Sequence, residues 1–177
     1  IRNGVYSRAE LAIEGNVKYL HYGDIHTSSD VRLNPAKSIM PFLPDDKAAR
    51  LARLKDGDVV FVDATEDLAG VGKSVEISGL GGTQLVAGLH TIAARCDKQG
   101  LADGFKAYLQ FIPAFRRHLC SLAAGTKVLS SNRAHIVSAE IELPDIEEQA
   151  AIDLVLSDMG TELAALEQRR EKTRLLK

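Results

Sequence analysis

Residues 144–177 constrain this chain more than any other stretch. Pro144 opens the segment, Asp145 can complement a helix N-terminus, and no proline follows. Apolar residues then recur at Ile152, Leu156, Met159, Leu163 and Leu166. The steps are 4, 3, 4 and 3, which is the seam of a heptad repeat. A helix of ~33 residues is ~50 Å long. That exceeds what a head built from residues 1–143 would cover, so part of the stripe must face another helix. Charge is polarised along it. Seven acids and no bases lie between Asp145 and Glu167, and five bases with one acid lie between Arg169 and Lys177. Each end complements the helix dipole, and an antiparallel copy would set acidic halves against basic halves.

The remaining 143 residues read as one mixed α/β (α+β) unit with a twisted sheet and flanking helices. The strongest strand is Asp58-Val59-Val60-Phe61-Val62, entered by the turn Lys55-Asp56-Gly57. Residues 16–26 read as a strand and a turn at Gly23-Asp24. Residues 27–56 read as irregular, with a short helix from Asp45 to Lys55 capped by Asp45 or Asp46. Further strands are expected over Val71–Ile77, Gln84–Ala94 and Val137–Leu143. The helical spacing of Phe105–Leu122 should break at Pro113.

Composition excludes several classes. No apolar run approaches the ~18–20 residues that span a bilayer, and no secretory signal is visible. The two cysteines, Cys96 and Cys120, fit neither a metal motif nor a disulfide framework and read as reduced and cytosolic. Cys120 beside His118 reads as a buried structural thiol. Gly70-Val71-Gly72-Lys73-Ser74 fails as a phosphate-binding loop, because Asp67 holds the first glycine position and a strand follows. His21, Asp24 and His26 lack metal-site spacing and read as turn residues. No Gly-x-Ser-x-Gly elbow points to a hydrolase. Gly79-Leu80-Gly81-Gly82 is either a close approach to phosphate or a plain hairpin. The net charge is −2, and the head, with 17 bases and 16 acids, is nearly neutral. Any nucleic-acid patch must therefore be local.

Several segments in order carry a resemblance. Tyr22-Gly23-Asp24-Ile25 precedes Leu54-Lys55-Asp56-Gly57-Asp58-Val59-Val60-Phe61-Val62. Gly72-Lys73, the run Leu89 to Arg95, and Phe105-Lys106-Ala107-Tyr108-Leu109 follow. Gly125-Thr126 with Leu129-Ser130 come next, and Leu143-Pro144 with Glu147-Glu148-Gln149 and Ile152 close the set. Together they resemble the target-recognition domain and conserved helix of type I restriction–modification specificity subunits. An Asn common near Gln84 and an aromatic-led strand before Ile1 are lacking, which implies a truncated N-terminus.

The resemblance implies a non-catalytic, cytoplasmic DNA-reading subunit with no cofactor of its own. S-adenosylmethionine, ATP and Mg would belong to partner methyltransferase and restriction subunits. Residues 1–143 would be the DNA-binding domain and residues 144–177 the spacer or dimerisation helix. The chain would be either a fragment, the second half of a two-headed subunit, or a half-size subunit forming a homodimer on double-stranded DNA. A protein-interaction adaptor that pairs through its helix is the alternative. Side chains suited to bases and phosphates are Lys18, Tyr19, Tyr22, Lys73, Thr83 and Gln84, and then Thr126, Lys127, Ser130, Asn132 and Arg133. The last group leads, because its loop carries bases with no acid between Gly125 and Arg133.

Overall fold

The computed structural model describes Ile1–Leu176. Nine short strands form three sheets. β1 (Val17–Leu20) lies between β3 (Phe42–Leu43) and the parallel β7 (Gln84–Ala87). A second sheet has the order β2 (Arg32–Leu33), β6 (Ser74–Ile77), β4 (Val59–Val62), β8 (Thr91–Ala94). β5 (Ala64–Thr65) pairs with β9 (Leu129–Ser130). The helices are α1 (Tyr22–Thr27), α2 (Asp45–Ala48), α3 (Pro113–Leu122), α4 (Arg133–Val137) and α5 (Ile146–Leu175). A 3₁₀ segment covers Phe105–Phe111.

Side-chain alternation sorts these elements into layers. Val60 and Val62 of β4 enter the central core with Val75 and Ile77 of β6, Leu20 of β1 and Leu85 of β7. Val59 and Phe61 point the other way, into a core completed by Phe105, Leu109, Phe115 and Leu119. A third cluster covers the far side of β1 and β7 through Val17, Tyr19 and Val86. The four-residue run Val59–Val62 is thus buried on both faces, which is why it lacks polar alternation.

Polar residues fix the ends of these strands. Gly57 takes φ +85° in the turn before β4, a conformation open to glycine. Asp58 accepts from Lys55 N at 2.8 Å and holds Arg95 through two bonds of 2.8 and 2.7 Å. The Gly-Asp before β4 and the Arg after β8, quoted above in separate segments, are one contact. Buried Glu76 of β6 accepts from Gly104 N and Ala107 N at the start of the 3₁₀ segment. Desolvation raises its carboxyl pKa above the ordinary value.

Several sequence expectations change. Tyr22–Thr27 is a helix, not a turn: His21 Nδ1 accepts from Gly23 N, and the Asp24 carboxylate accepts from His21 N. The 45–55 helix ends at Ala48, because the Arg53 guanidinium takes the carbonyls of Ala48 and Leu51. Neither Asp45 nor Asp46 caps it: Pro44 holds the cap position, and the Asp45 carboxylate receives Asn16 Nδ2. Gln84–Ala94 is two strands in different sheets, separated by Gly88-Leu89-His90. Val137–Leu143 is no strand. Its alternation is real, but Ala139, Ile141 and Leu143 pack on the Phe61 core without a strand partner. Cys120 is half-buried rather than buried. The Gly79–Gly82 loop crosses between two sheets, so it is no hairpin. The break at Pro113 falls where expected.

Helix α5 is capped by Asp145, whose carboxylate accepts from Glu148 N at 2.8 Å. Its attachment rests on a few residues. Gln149 is buried, accepts from Ala102 N, and donates to Gly100 O and Pro144 O. Ile152 packs on the Phe61 core, and Asp153 pairs with Arg32 of β2. Every described residue from Asp158 onward is exposed. Met159, Leu163 and Leu166 stand 61%, 59% and 51% exposed. These 19 residues carry the helix ~27 Å clear of the head.

Gln149→Ala leaves the half-buried Ala102 N–H and two carbonyls without their partner. It should lower stability by about 2–3 kcal/mol, read from urea midpoints at constant m-value. A change within error would show that the carboxamide does not hold the helix.

Candidate nucleic-acid interface

The parallel pairing of β1 and β7 places two loops side by side at one end and two at the other. Val17 lies opposite Gln84, and Leu20 opposite Ala87. The ends are therefore about 10 Å apart along the strands. Each end opens on a cleft.

The first cleft, of about 680 Å³, lies beyond Leu20 and Ala87 and is lined by Tyr22, His26, Thr65, Asp67, Lys73 and His90, among others. Tyr22 meets the His90 ring edge-on at 5.4 Å and the His26 ring at 5.9 Å. His90 sits at φ +57° in the turn between β7 and β8, the one described non-glycine residue with positive φ. Its Nδ1 lies 3.1 Å from the Asp63 carboxylate. Asp67 accepts from Gly70 N at 2.7 Å, closing the turn after β5. Gly70 must stay bare, since a Cβ there would meet Thr65 Oγ1 at 2.1 Å. Lys73 reaches under the end of α1 and donates to His26 O and Ser28 O at 2.6 and 3.0 Å, where helix carbonyls lack partners.

The second cleft, of about 620 Å³, lies at the Val17–Gln84 end and includes Asn16, Lys18, Arg53, Thr83 and Gln84. Lys18 donates to Pro35 O and Ser38 O at 2.7 and 2.8 Å. Arg53 Nε donates to the Gln84 side chain at 2.9 Å.

Of the eleven residues singled out from the sequence, Tyr19 is buried in the core, where its hydroxyl donates to Tyr6 O and accepts from Leu89 N, and the other ten fall into three groups. Tyr22 and Lys73 share the first cleft, whose wall includes Val128. Val128 belongs to the loop that carries Thr126 and Lys127, both exposed. Ser130 ties that loop off by donating to Ala124 O. Lys18, Thr83 and Gln84 share the second cleft. Asn132 caps α4 by accepting from His135 N, and the exposed Arg133 reaches the Ile1 carbonyl. Arg53 and His90 escaped the sequence reading, and His26 reads there as a turn residue. Gly88, inside the stretch read as one strand, is the signal that would have placed His90 in a turn.

Electrostatics separates the cations into two kinds. Arg8, Arg32, Lys47, Arg95, Lys98 and Lys106 pair with carboxylates. Lys18, Arg53 and Lys73 bond to main-chain carbonyls or an amide and have no ion pair among the described residues. They are held in place without an ion pair: the second cleft sets Lys18 and Arg53 against Asp45, whereas the first sets Lys73 against Glu66 and Asp67. A chain with a nearly neutral head can in this way present local positive charge.

No protein-family model matches the sequence, and no curated protein matches it. Among solved structures, the chain is similar to the crystal structure of a type I restriction–modification system S subunit from M. genitalium. The TM-score is 0.53 at 15% sequence identity, covering 94% of this chain and 38% of that one. At that identity the likeness is one of fold: a mixed α/β head carrying a long C-terminal helix. The chain spans 38% of that subunit's length.

Burial, then the nearby Arg8, depresses the His21 pKa below its ordinary 6.5, while Asp24 opposes them. The neutral ring supplies the α1 cap, so its stabilisation is present above pH 6.5 and lost as pH falls through the depressed value. Acidification should therefore loosen α1 and lower the protection of the Gly23 amide relative to its intrinsic exchange rate. His21→Asn, which keeps an acceptor but does not titrate, should lack this pH dependence in hydrogen-exchange NMR. Equal pH dependence in both proteins would show that His21 is not the titrating cap.

Proposed function

We propose that the chain is a sequence-specific DNA recognition module of the type I specificity-subunit kind. The observation that carries this reading is the fold likeness over 94% of the chain, head and long helix together. Lys18 and Arg53 of the second cleft, which outnumber its one carboxylate, support it, because phosphate contacts need charge that no carboxylate has neutralised. On this reading the first cleft and the neighbouring 124–133 segment approach base edges, with Lys127 and Arg133 the leading contacts. Lys18, Thr83 and Gln84 hold backbone from the other end of the β1–β7 pair.

The exposed stripe of Met159, Leu163 and Leu166 is the other half of the proposal. It pairs with a second long helix, either from the other half of a longer subunit or from a second copy. The acidic and basic halves of α5 favour an antiparallel partner. Two equal heads would read a palindromic bipartite site. Residues 1–143 and 144–177 then act as reading head and spacer. The chain itself carries no catalysis or cofactor and works in the cytoplasm. Methyltransferase and restriction subunits supply S-adenosylmethionine and ATP–Mg chemistry. The balance of 17 bases against 16 acids in the head favours a second reading, an adaptor that pairs through its helix without touching DNA.

Sedimentation of the chain, alone and with duplex DNA at low salt, separates the two readings. A species that shifts onto DNA supports recognition; a self-associating species that ignores DNA supports the adaptor. Lys127→Ala with Arg133→Ala should weaken binding and flatten its salt slope by about one per lost contact. Unchanged affinity in the folded double variant would remove that segment from the interface. Leu163→Glu should dissociate any helix-mediated pair, and persistence of the pair would place the interface elsewhere.

A further inference from the structure

A third cleft, of about 330 Å³, opens beside the first and shares Ala69 and Lys73 with it. It lies between the turn after α1, the start of β6 and the 3₁₀–α3 junction. Ser29, Asp30, Lys73, Ser74, Phe111 and Arg116 line it, among others.

Ser74 is the unusual member. It is 1% exposed, and its hydroxyl has no hydrogen-bond partner among the described residues. The local pairing explains why. β4 occupies one side of Ser74, but β2 pairs only with Glu76 and Ile77. The Gln110 carboxamide fills the vacant edge, accepting from Ser74 N at 3.3 Å and donating to Ser74 O at 2.8 Å. The main chain is thus satisfied and the side chain is left over. A buried hydroxyl without a partner is unfavourable unless something else meets it.

Two cations face the same space. Arg116 spends Nη2 on Leu68 O and Ala69 O at 2.9 and 3.3 Å. Its Nε and Nη1 have no hydrogen bond among the described residues. Lys73 uses two carbonyls, which leaves one of its three ammonium protons. Neither cation has an ion pair among the described residues, and the one carboxylate on this cleft is that of exposed Asp30. The Ser28 hydroxyl is occupied by the Asp30 main chain. Phe111, 62% exposed, supplies an apolar wall.

We infer that this cleft binds a phosphate group, with Arg116 and Lys73 supplying charge and the Ser74 hydroxyl supplying a hydrogen bond. Anion recognition by a fixed guanidinium, an ammonium and a hydroxyl is ordinary chemistry. The phosphate belongs either to a DNA backbone or to a free nucleotide whose base or sugar rests on Phe111. The first source rests on the DNA-reading function proposed above, whereas the second does not.

The test titrates the full chain with inorganic phosphate by amide and arginine Nε NMR, and separately measures duplex affinity against salt. Phosphate should shift the Lys73, Ser74 and Arg116 signals, and Arg116→Gln should abolish those shifts. On duplex DNA, Arg116→Gln should weaken binding about 3- to 10-fold and lower the salt slope by about one. Ser74→Ala keeps every charge and removes a hydroxyl that no protein group needs. A loss there too places the phosphate in this cleft and not on the outer surface. A duplex effect in both variants assigns a backbone phosphodiester. Phosphate shifts with duplex binding unchanged assign a free nucleotide. Phosphate shifts in a wild type that ignores duplex would remove the DNA reading and leave the cleft standing. No phosphate shift, with both folded variants binding duplex like the wild type, overturns the inference.

Discussion

Burial of β4 on both faces is the constraint on which the architecture depends. A strand with Val60 and Val62 on one side and Val59 and Phe61 on the other needs cover from two directions. The β1–β7 sheet supplies one cover, and the 3₁₀ segment, α3 and the first turns of α5 supply the other. The clefts follow from this layering. One sheet must reach across the other through short loops, and those loops converge at the ends of β1 and β7. The same demand anchors the long helix, since Ile152 belongs to the cover over Phe61.

Much of the skeleton was legible because its signals are local. The Val59–Val62 run, the break at Pro113 and the Asp145 cap each depend on residues within one turn or strand. The misread elements depended on partners far away in sequence. Val137–Leu143 alternates like a strand, but strands exist only where an edge is free to pair, and none meets this segment. The α1 helix has a local signature, an acceptor at His21 and a carboxylate three residues on. Histidine in the cap position and the glycine after Tyr22 obscured it.

The candidate site was less legible for a physical reason. Sequence shows that Lys18, Arg53, Lys73 and Arg116 are cations but not whether a carboxylate reaches them. Their partners are carbonyl oxygens and an amide, groups that composition cannot count. Overall charge was correspondingly a poor guide. Arg8, Lys47 and Arg95 consume acids, so a nearly balanced head still leaves Lys18, Arg53 and Arg116 without an ion pair among the described residues.

The short attachment of α5 also has a mechanical meaning. Gln149, Ile152 and Asp153 lie within five residues, while the exposed part runs ~27 Å beyond the head. The helix is a lever with its fulcrum at one carboxamide. A tilt of ~10° about that point displaces the far tip, ~39 Å away, by about 7 Å, most of the 8–10 Å between packed helices. The hydrogen bonds around one glutamine therefore set the precision with which anything mounted on the distal helix is aimed.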